Sequence, residues 1–201
     1  ARSDGGAFAR KLRERLEREQ PQITLWQDRT NLEGGVGWWS QITEALDTVR
    51  FMVLIMTPAA IDSAVIKKEW RYARQQGVCV YPVQGDQTID FAELPRWIKK
   101  SHFFDLEHEW ETFINYLMSP CQVARVPFMA PDVPRGYVER TGLFEQLLKS
   151  LLETSRQEFA PAMALHGAAG LGKTTLAAAL SHHDDTIMNF DDGVLWVTLG
   201  K

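Results

Sequence analysis

The stretch FMVLIMTPAAIDSAVIKKEW, Phe51 to Trp70, decides how the first half of the chain is read. It opens with six apolar residues, too few for a core helix or a membrane span. A run of that length followed by a break predicts a strand buried on both faces. Thr57-Pro58 ends it, because proline cannot continue a ladder and disfavours the helical region for its predecessor. A loop is expected next, and then a helix carrying Glu69. A carboxylate just past the carboxyl end of a buried parallel strand stands where open α/β sheets bind their ligands. Glu69 stands at that place as a candidate catalytic residue. Between Lys67-Lys68 and Trp70-Arg71 it also reads as a member of a solvated, ion-paired helix face.

Working outward, Phe8, Leu12 and Leu16 recur every four residues between Ala7 and Glu19, with charges opposite, which predicts an amphipathic helix. Ile23 to Trp26 reads as a short strand, and Gln27 to Gly37 (QDRTNLEGGVG) as a polar, glycine-bearing loop. Trp38, Trp39, Ile42 and Leu46 fit one helical face. After the Glu69 helix, Gly77 is a natural C-cap. A buried strand follows at Val78 to Val83, then a short helix near Leu94 to Lys99, a strand at Phe103 to Leu106 and a helix from Glu109 to Leu117. Strands alternating with helices at this spacing specify an α/β fold with a parallel sheet covered on both sides.

Composition sets the outer limits. The chain has 201 residues, 45% hydrophobic and 24% charged, with a net charge of −4 and an isoelectric point near 5.8. That balance fits a soluble globular protein of one complete domain and part or all of another. It gives no support for nucleic-acid binding. No apolar segment approaches the length of a membrane span, and no signal peptide is expected from these residues. Cys79 and Cys121 have neither metal-ligand nor CxxC spacing. Cys79 lies in an apolar strand pattern and reads as a buried thiol, which suits a reducing, cytoplasmic compartment. Both ends of the chain, ARSDGG and Gly200-Lys201, read as cut from something larger.

Prolines at 120, 127, 131 and 134 interrupt the pattern, so residues 119–136 are expected to be a linker between a domain at 1–118 and a second at 137–201. The second half predicts a helix over Leu143 to Glu153, a strand at Ala162 to His166, a helix to about Leu180 and a strand at Gly193 to Leu199. Between its first strand and second helix lies GAAGLGKTT, Gly167 to Thr175. Gly167, Gly172, Lys173 and Thr174 satisfy GxxxxGK[ST] in the strand-to-helix setting that gives the motif meaning. Glycines there turn backbone N–H groups inward around phosphates, and the helix N-terminus adds positive potential. Lys173 is expected to reach the β and γ phosphates of ATP or ADP and Thr174 to hold Mg²⁺, with Gly170 and Thr175 completing the loop. His182, His183, Asp184 and Asp185 have adjacent spacing and read as a solvated loop.

YVERTGLFEQLLKSLLE (Tyr137 to Glu153), LHGAAGLGKTTLA (Leu165 to Ala177) and FDDGVLWVTLG (Phe190 to Gly200) resemble the NB-ARC class of STAND-type P-loop ATPases. In that family the first of these segments lies near the adenine. The resemblance implies a switch in which nucleotide exchange drives oligomerisation, with an activating ligand or protein sensed by a C-terminal region. ARSDGGAFARKLRERLE, ITLWQDRTNLEGGVGWWSQITEALDTVRFMVLIMTP and the spacing S-x-x-x-x-x-E from Ser63 to Glu69 resemble a bacterial TIR domain over about residues 1–118. That implies a flavodoxin-like fold whose first, central strand would precede Ala1, and a Gln27–Gly37 loop used for gating and self-association. Val65 and Ile66 replace the Trp and Cys that are common in the family. Enzymatic members cleave the nicotinamide–ribose bond of NAD⁺ with a glutamate six residues after the serine, the position of Glu69. By the same resemblance Arg2 and Asp4 are expected to contact phosphate or ribose, and Trp38 or Trp39 to stack on a ring, with Ser63 beside the substrate. The expectation is an oligomerisation-activated NAD⁺ glycohydrolase of an antiphage defence system. The alternative is a non-catalytic TIR scaffold that recruits other TIR proteins.

Overall fold

The computed structural model describes residues 5–27, 37–154 and 163–199, and the chain divides into two compact units, Ala1–Arg125 and Val126–Lys201. Unit 1 contains helix α1 (Gly6–Glu19), α2 (Trp38–Leu46), strand β1 (Phe51–Met56), α3 (Pro58–Asp62), α4 (Ala64–Gln76), strand β2 (Cys79–Gln84), a 3₁₀ turn (Phe91–Glu93), α5 (Arg96–Lys100) and α6 (Trp110–Met118). The two strands pair in parallel, Phe51 opposite Cys79 through Met56 opposite Gln84, with α4 as the crossover.

The period-2 geometry of β1 explains its continuous apolar run. Phe51, Val53 and Ile55 pack on a core formed with Leu12 and Leu16 of α1 and Phe113, Ile114 and Leu117 of α6. Met52, with Val80 of β2, packs the other way, on Ile42 and Leu46 of α2 and Ala73 of α4. Both faces pack on apolar side chains, with Leu54 and Met56 buried and the other four residues half-buried, so neither face needs polar residues. The expected arrangement of helices on both sides of a parallel sheet is what forms.

The expected strand at Phe103 to Leu106 is reduced to one bridge, Val83 to Phe104, in which Phe104 N–H donates to Pro82 O and Gln84 N–H donates to Phe104 O. Toward residue 102 the ladder would continue through the amide hydrogen of residue 82, which is proline and has none. Toward Leu106 no further bridge forms among the described residues. The strand expected at Ile23 to Trp26 does not form either, because nothing among the described residues pairs with it.

The loop expected after Thr57-Pro58 is instead the one-turn helix α3. Thr57 is 1% exposed and its Oγ1 accepts from Ala60 N–H at 3.1 Å, while Pro58 takes the first helical position, where a missing amide hydrogen costs nothing. At the far end of α4, Gly77 adopts φ 77° and closes the helix as expected. Its N–H donates to Arg74 O and Val78 N–H donates to Ala73 O.

Cys79 is not a free thiol. It is bonded to Cys121, 42 residues away, with Cα atoms 5.8 Å apart. The start of the proline-rich stretch folds back against the amino end of β2, a long-range contact with no local signal in the sequence.

Gly85, just past β2, marks a close approach of two chain segments in unit 1. A Cβ there would lie 2.7 Å from Ile55 Cγ2 and 2.8 Å from Met56 O, and Gly85 N–H donates to that oxygen. We expect Gly85→Ala to destabilise unit 1 by about 1–3 kcal/mol, the usual effect of forcing a methyl into packed surroundings. The midpoint of urea unfolding reads it directly.

Unit 2 contains α7 (Thr141–Thr154), α8 (Lys173–His182) and α9 (Asp184–Asn189), packed around Phe144, Ala179 and Leu180. Two expectations fail here. No strand forms in the described part of Ala162 to His166, and Gly193 to Leu199 is bridged only at Val194, to Phe128. Leu195, Val197 and Leu199 are 73%, 77% and 94% exposed, so the alternation expected of a strand is present without a sheet to receive it. The supposed loop at His182 to Asp185 starts α9 instead. His183 Nδ1 accepts from Asp185 N–H, and Asp184 and Asp185 occupy the first turn, where carboxylates suit the helix dipole.

Candidate functional site

Glu69 is placed by its helix. Ser63 ends α3 and begins α4, and its Oγ accepts from Ile66 N–H at 3.3 Å. Glu69 stands six residues beyond that cap, about 9 Å along the helix axis. Its neighbour Trp70 and Ala73 point into the core at 4% and 0% exposure, leaving Glu69 half-buried at the edge of that face. The Ser63–Glu69 spacing is thus a helix start and a position in its second turn. Ser63 uses its hydroxyl to cap the helix.

Aromatic rings and cations pack against residues of α4. Lys68 Nζ lies 3.9 Å from the centroid of the Trp39 ring, and Trp39 meets Tyr72 edge-on at 5.9 Å. Trp39 is half-buried and also packs on the core between α2 and α4. Trp70 and Trp97 stand 4.9 Å apart, with the Arg74 guanidinium 4.6 Å over Trp97. Trp38 begins α2, and its side chain lies outside the described set, as do Arg2, Asp4 and residues 28–36 of the Gln27–Gly37 loop. Among the first-domain candidates, then, α4 carries Ser63 and Glu69, and Trp39 packs on the same helix through Lys68 and Tyr72.

A feature unforeseen in the sequence follows the Phe104 bridge. Asp105 accepts from His108 Nδ1 at 2.7 Å and from Glu107 N–H, while Glu109 accepts from Asp105 N–H at 3.0 Å and lies 2.9 Å from His102 Nε2. The His108 bond holds the Asp105 carboxyl below its ordinary value of 3.8, and the same bond raises His108 above 6.5. The raised His108 favours the folded state fully below pH 6.5, and that contribution disappears as pH climbs through its folded value. The lowered Asp105 acts oppositely, contributing above 3.8 and fading as pH falls through its folded value. In an NMR titration of Asp105→Asn we expect His108 to fall back toward 6.5. An unchanged His108 curve would count against the pairing.

The second site is the loop before α8. Gly167, Gly170 and Gly172 have φ of 152°, 79° and 78°, values in which side-chain-bearing residues are strained. A Cβ at Gly170 or Gly172 would meet nothing within 4 Å, so the φ values rather than crowding call for glycine at these two positions. Gly172 caps α8 without a side chain, leaving the first-turn N–H groups to a ligand. Lys173 Nζ donates to Gly167 O at 2.9 Å and Ala168 O at 2.8 Å, which holds the ammonium across the loop. Backbone donors, an ammonium and the Thr174 and Thr175 hydroxyls form a set suited to a polyphosphate. A nucleotide fits these residues.

A family model described as a TIR domain matches residues 1–118, and one described as an NB-ARC domain matches residues 140–201. The chain belongs to the TIR domain family. It carries part of an NB-ARC domain behind the TIR domain, and the pair marks a STAND-type signalling or defence protein with a nucleotide-binding module. Comparisons with curated proteins and with solved structures return no significant match. No helix among the described residues is long and apolar enough to cross a membrane.

Proposed function

We propose that the TIR domain is an NAD⁺ glycohydrolase with Glu69 as its catalytic carboxylate, switched on when the NB-ARC part, loaded with ATP or ADP and Mg²⁺, brings TIR domains together. The observation that supports this most is the placing of Glu69: half-buried, in the second turn of the helix that Ser63 starts beyond the carboxyl end of β1. Nicotinamide leaves as a neutral base, taking the electron pair of the C1′–N bond, so little acid catalysis is needed. Positive charge develops on the ribose, as in other glycosidic cleavages. A fixed carboxylate stabilises that oxocarbenium and accepts hydrogen bonds from the ribose hydroxyls. Water then adds at C1′ and loses a proton. At the phosphate loop the Lys173 ammonium neutralises phosphate charge and Thr174 supplies a hydroxyl for Mg²⁺.

The test uses the full-length protein, with and without a fused coiled coil that enforces assembly. Nicotinamide release from NAD⁺ should rise steeply in the assembled form. An assembled protein that leaves NAD⁺ intact sinks this reading and favours a TIR domain that only recruits partners.

A further inference from the structure

Residues 119–125 are held to unit 1 by an unusual attachment. No helix or strand lies between Met118 and Thr141. Among the described residues, no backbone hydrogen bond ties residues 120–125 to the rest of unit 1. What holds the segment is the Cys79–Cys121 bond, with Arg125 Cγ laid over Gly77, 3.1 Å from where a Cβ would stand. The two sulfurs differ in access. Cys79 is 5% exposed, whereas Cys121 is half-buried and borders an open groove of about 540 Å³ that Arg50 and Arg125 also line. Unit 1 ends at Arg125 and Val126 begins unit 2, so this segment is the last that the TIR domain controls.

We propose that the Cys79–Cys121 disulfide is a thiol–disulfide exchange site, a clasp that a dithiol reductant opens to release residues 119–125 from the amino end of β2. One thiolate of the reductant attacks Cys121 Sγ, the accessible sulfur, and Cys79 leaves as a thiolate and takes up a proton. The second thiol of the reductant then attacks its own sulfur in the mixed disulfide, freeing Cys121. Two electrons pass from the dithiol, which becomes a disulfide, to the two cysteines. Opening adds about seven residues of unrestrained chain before unit 2, a reach of about 24 Å. A longer tether changes how freely neighbouring TIR domains meet once the chains assemble.

The full-length protein tests this through tryptic cleavage of the Arg125–Val126 bond, followed by mass spectrometry. Reducing the wild type with dithiothreitol should speed that cut at least tenfold, while cleavage after Arg74, inside α4, stays unchanged. Cys121→Ser should cut at the reduced rate in oxidising buffer and ignore dithiothreitol. Equal rates in oxidised and reduced wild type would overturn the proposal. So would a parallel rise after Arg74, since the bond would then be a general stabiliser. Alkylation of both cysteines throughout a glutathione redox series would do the same. Where Cys121→Ser unfolds, the wild-type comparison decides alone.

Discussion

Glu69→Gln in the assembled full-length protein is expected to lower nicotinamide release about a thousandfold. A carboxylate about 4 Å from a unit positive charge, at an effective dielectric near 20, contributes about 4 kcal/mol, and each 1.36 kcal/mol is a factor of ten in rate. Glutamine keeps the shape and nearly the helix propensity of glutamate, so α4 should persist and the loss should fall on kcat. Circular dichroism and the urea midpoint should match the wild type. Ser63→Ala gives the contrasting result. It removes the cap bond to Ile66 N–H, at a cost of about 0.5–2 kcal/mol of stability, and leaves the carboxylate in place. A Glu69→Gln enzyme that retained full turnover would remove Glu69 from the chemistry while leaving the fold assignment untouched.

What could be read in the sequence depended on how local the cause was. FMVLIM announces a buried strand because both of its faces pack on helices, and Gly77 announces a helix end because φ 77° suits glycine. Thr57-Pro58 misleads because the same proline that breaks a strand can open a helix, and Thr57 caps the turn that follows. The segments at Ile23 and Val194 have strand-like patterns, but a strand exists only when another pairs with it. Pro82 shows the reverse. The pattern at Phe103 to Leu106 pairs only at Phe104, and the proline on the neighbouring strand has no amide hydrogen for the bond to residue 102. The Cys79–Cys121 bond spans 42 residues and rests on the return path of a proline-rich stretch, which no periodicity encodes.

The candidate sites divide the same way. The phosphate-loop motif is legible in the sequence because it is carried by neighbouring residues in order, and Gly167, Gly170 and Gly172 adopt the positive φ that such a loop uses. The Ser63–Glu69 spacing was legible as a motif, but the capping role of Ser63 emerges only once α3 and α4 meet at that residue. The carboxylate–imidazole pairs after Phe104 had no expectation at all, since they depend on the turn between Asp105 and Glu109.

Lys173→Ala should abolish the response of the protein to nucleotide. The Lys173 ammonium is the one cationic group that GAAGLGKTT offers to a polyphosphate, and it already spans the loop through Gly167 O and Ala168 O. Each hydrogen bond from a charged donor contributes about 1.5–3 kcal/mol, so losing its bonds to phosphate should weaken ATP or ADP binding by about a hundredfold or more. Titration with a fluorescent nucleotide analogue measures this. Lys173→Arg should not restore binding, because a planar guanidinium does not replace a compact ammonium inside a loop built for one. The glycines and the start of α8 remain, so unit 2 should keep its helix content. If the NB-ARC part acts by assembling TIR domains, Lys173→Ala should lose nucleotide-driven NAD⁺ cleavage yet regain it when a fused coiled coil enforces assembly. Glu69→Gln should not be rescued that way. A Lys173→Ala protein that binds nucleotide normally would show that the loop is not the binding site. One that stays inactive under enforced assembly would show that the nucleotide does more than bring the domains together.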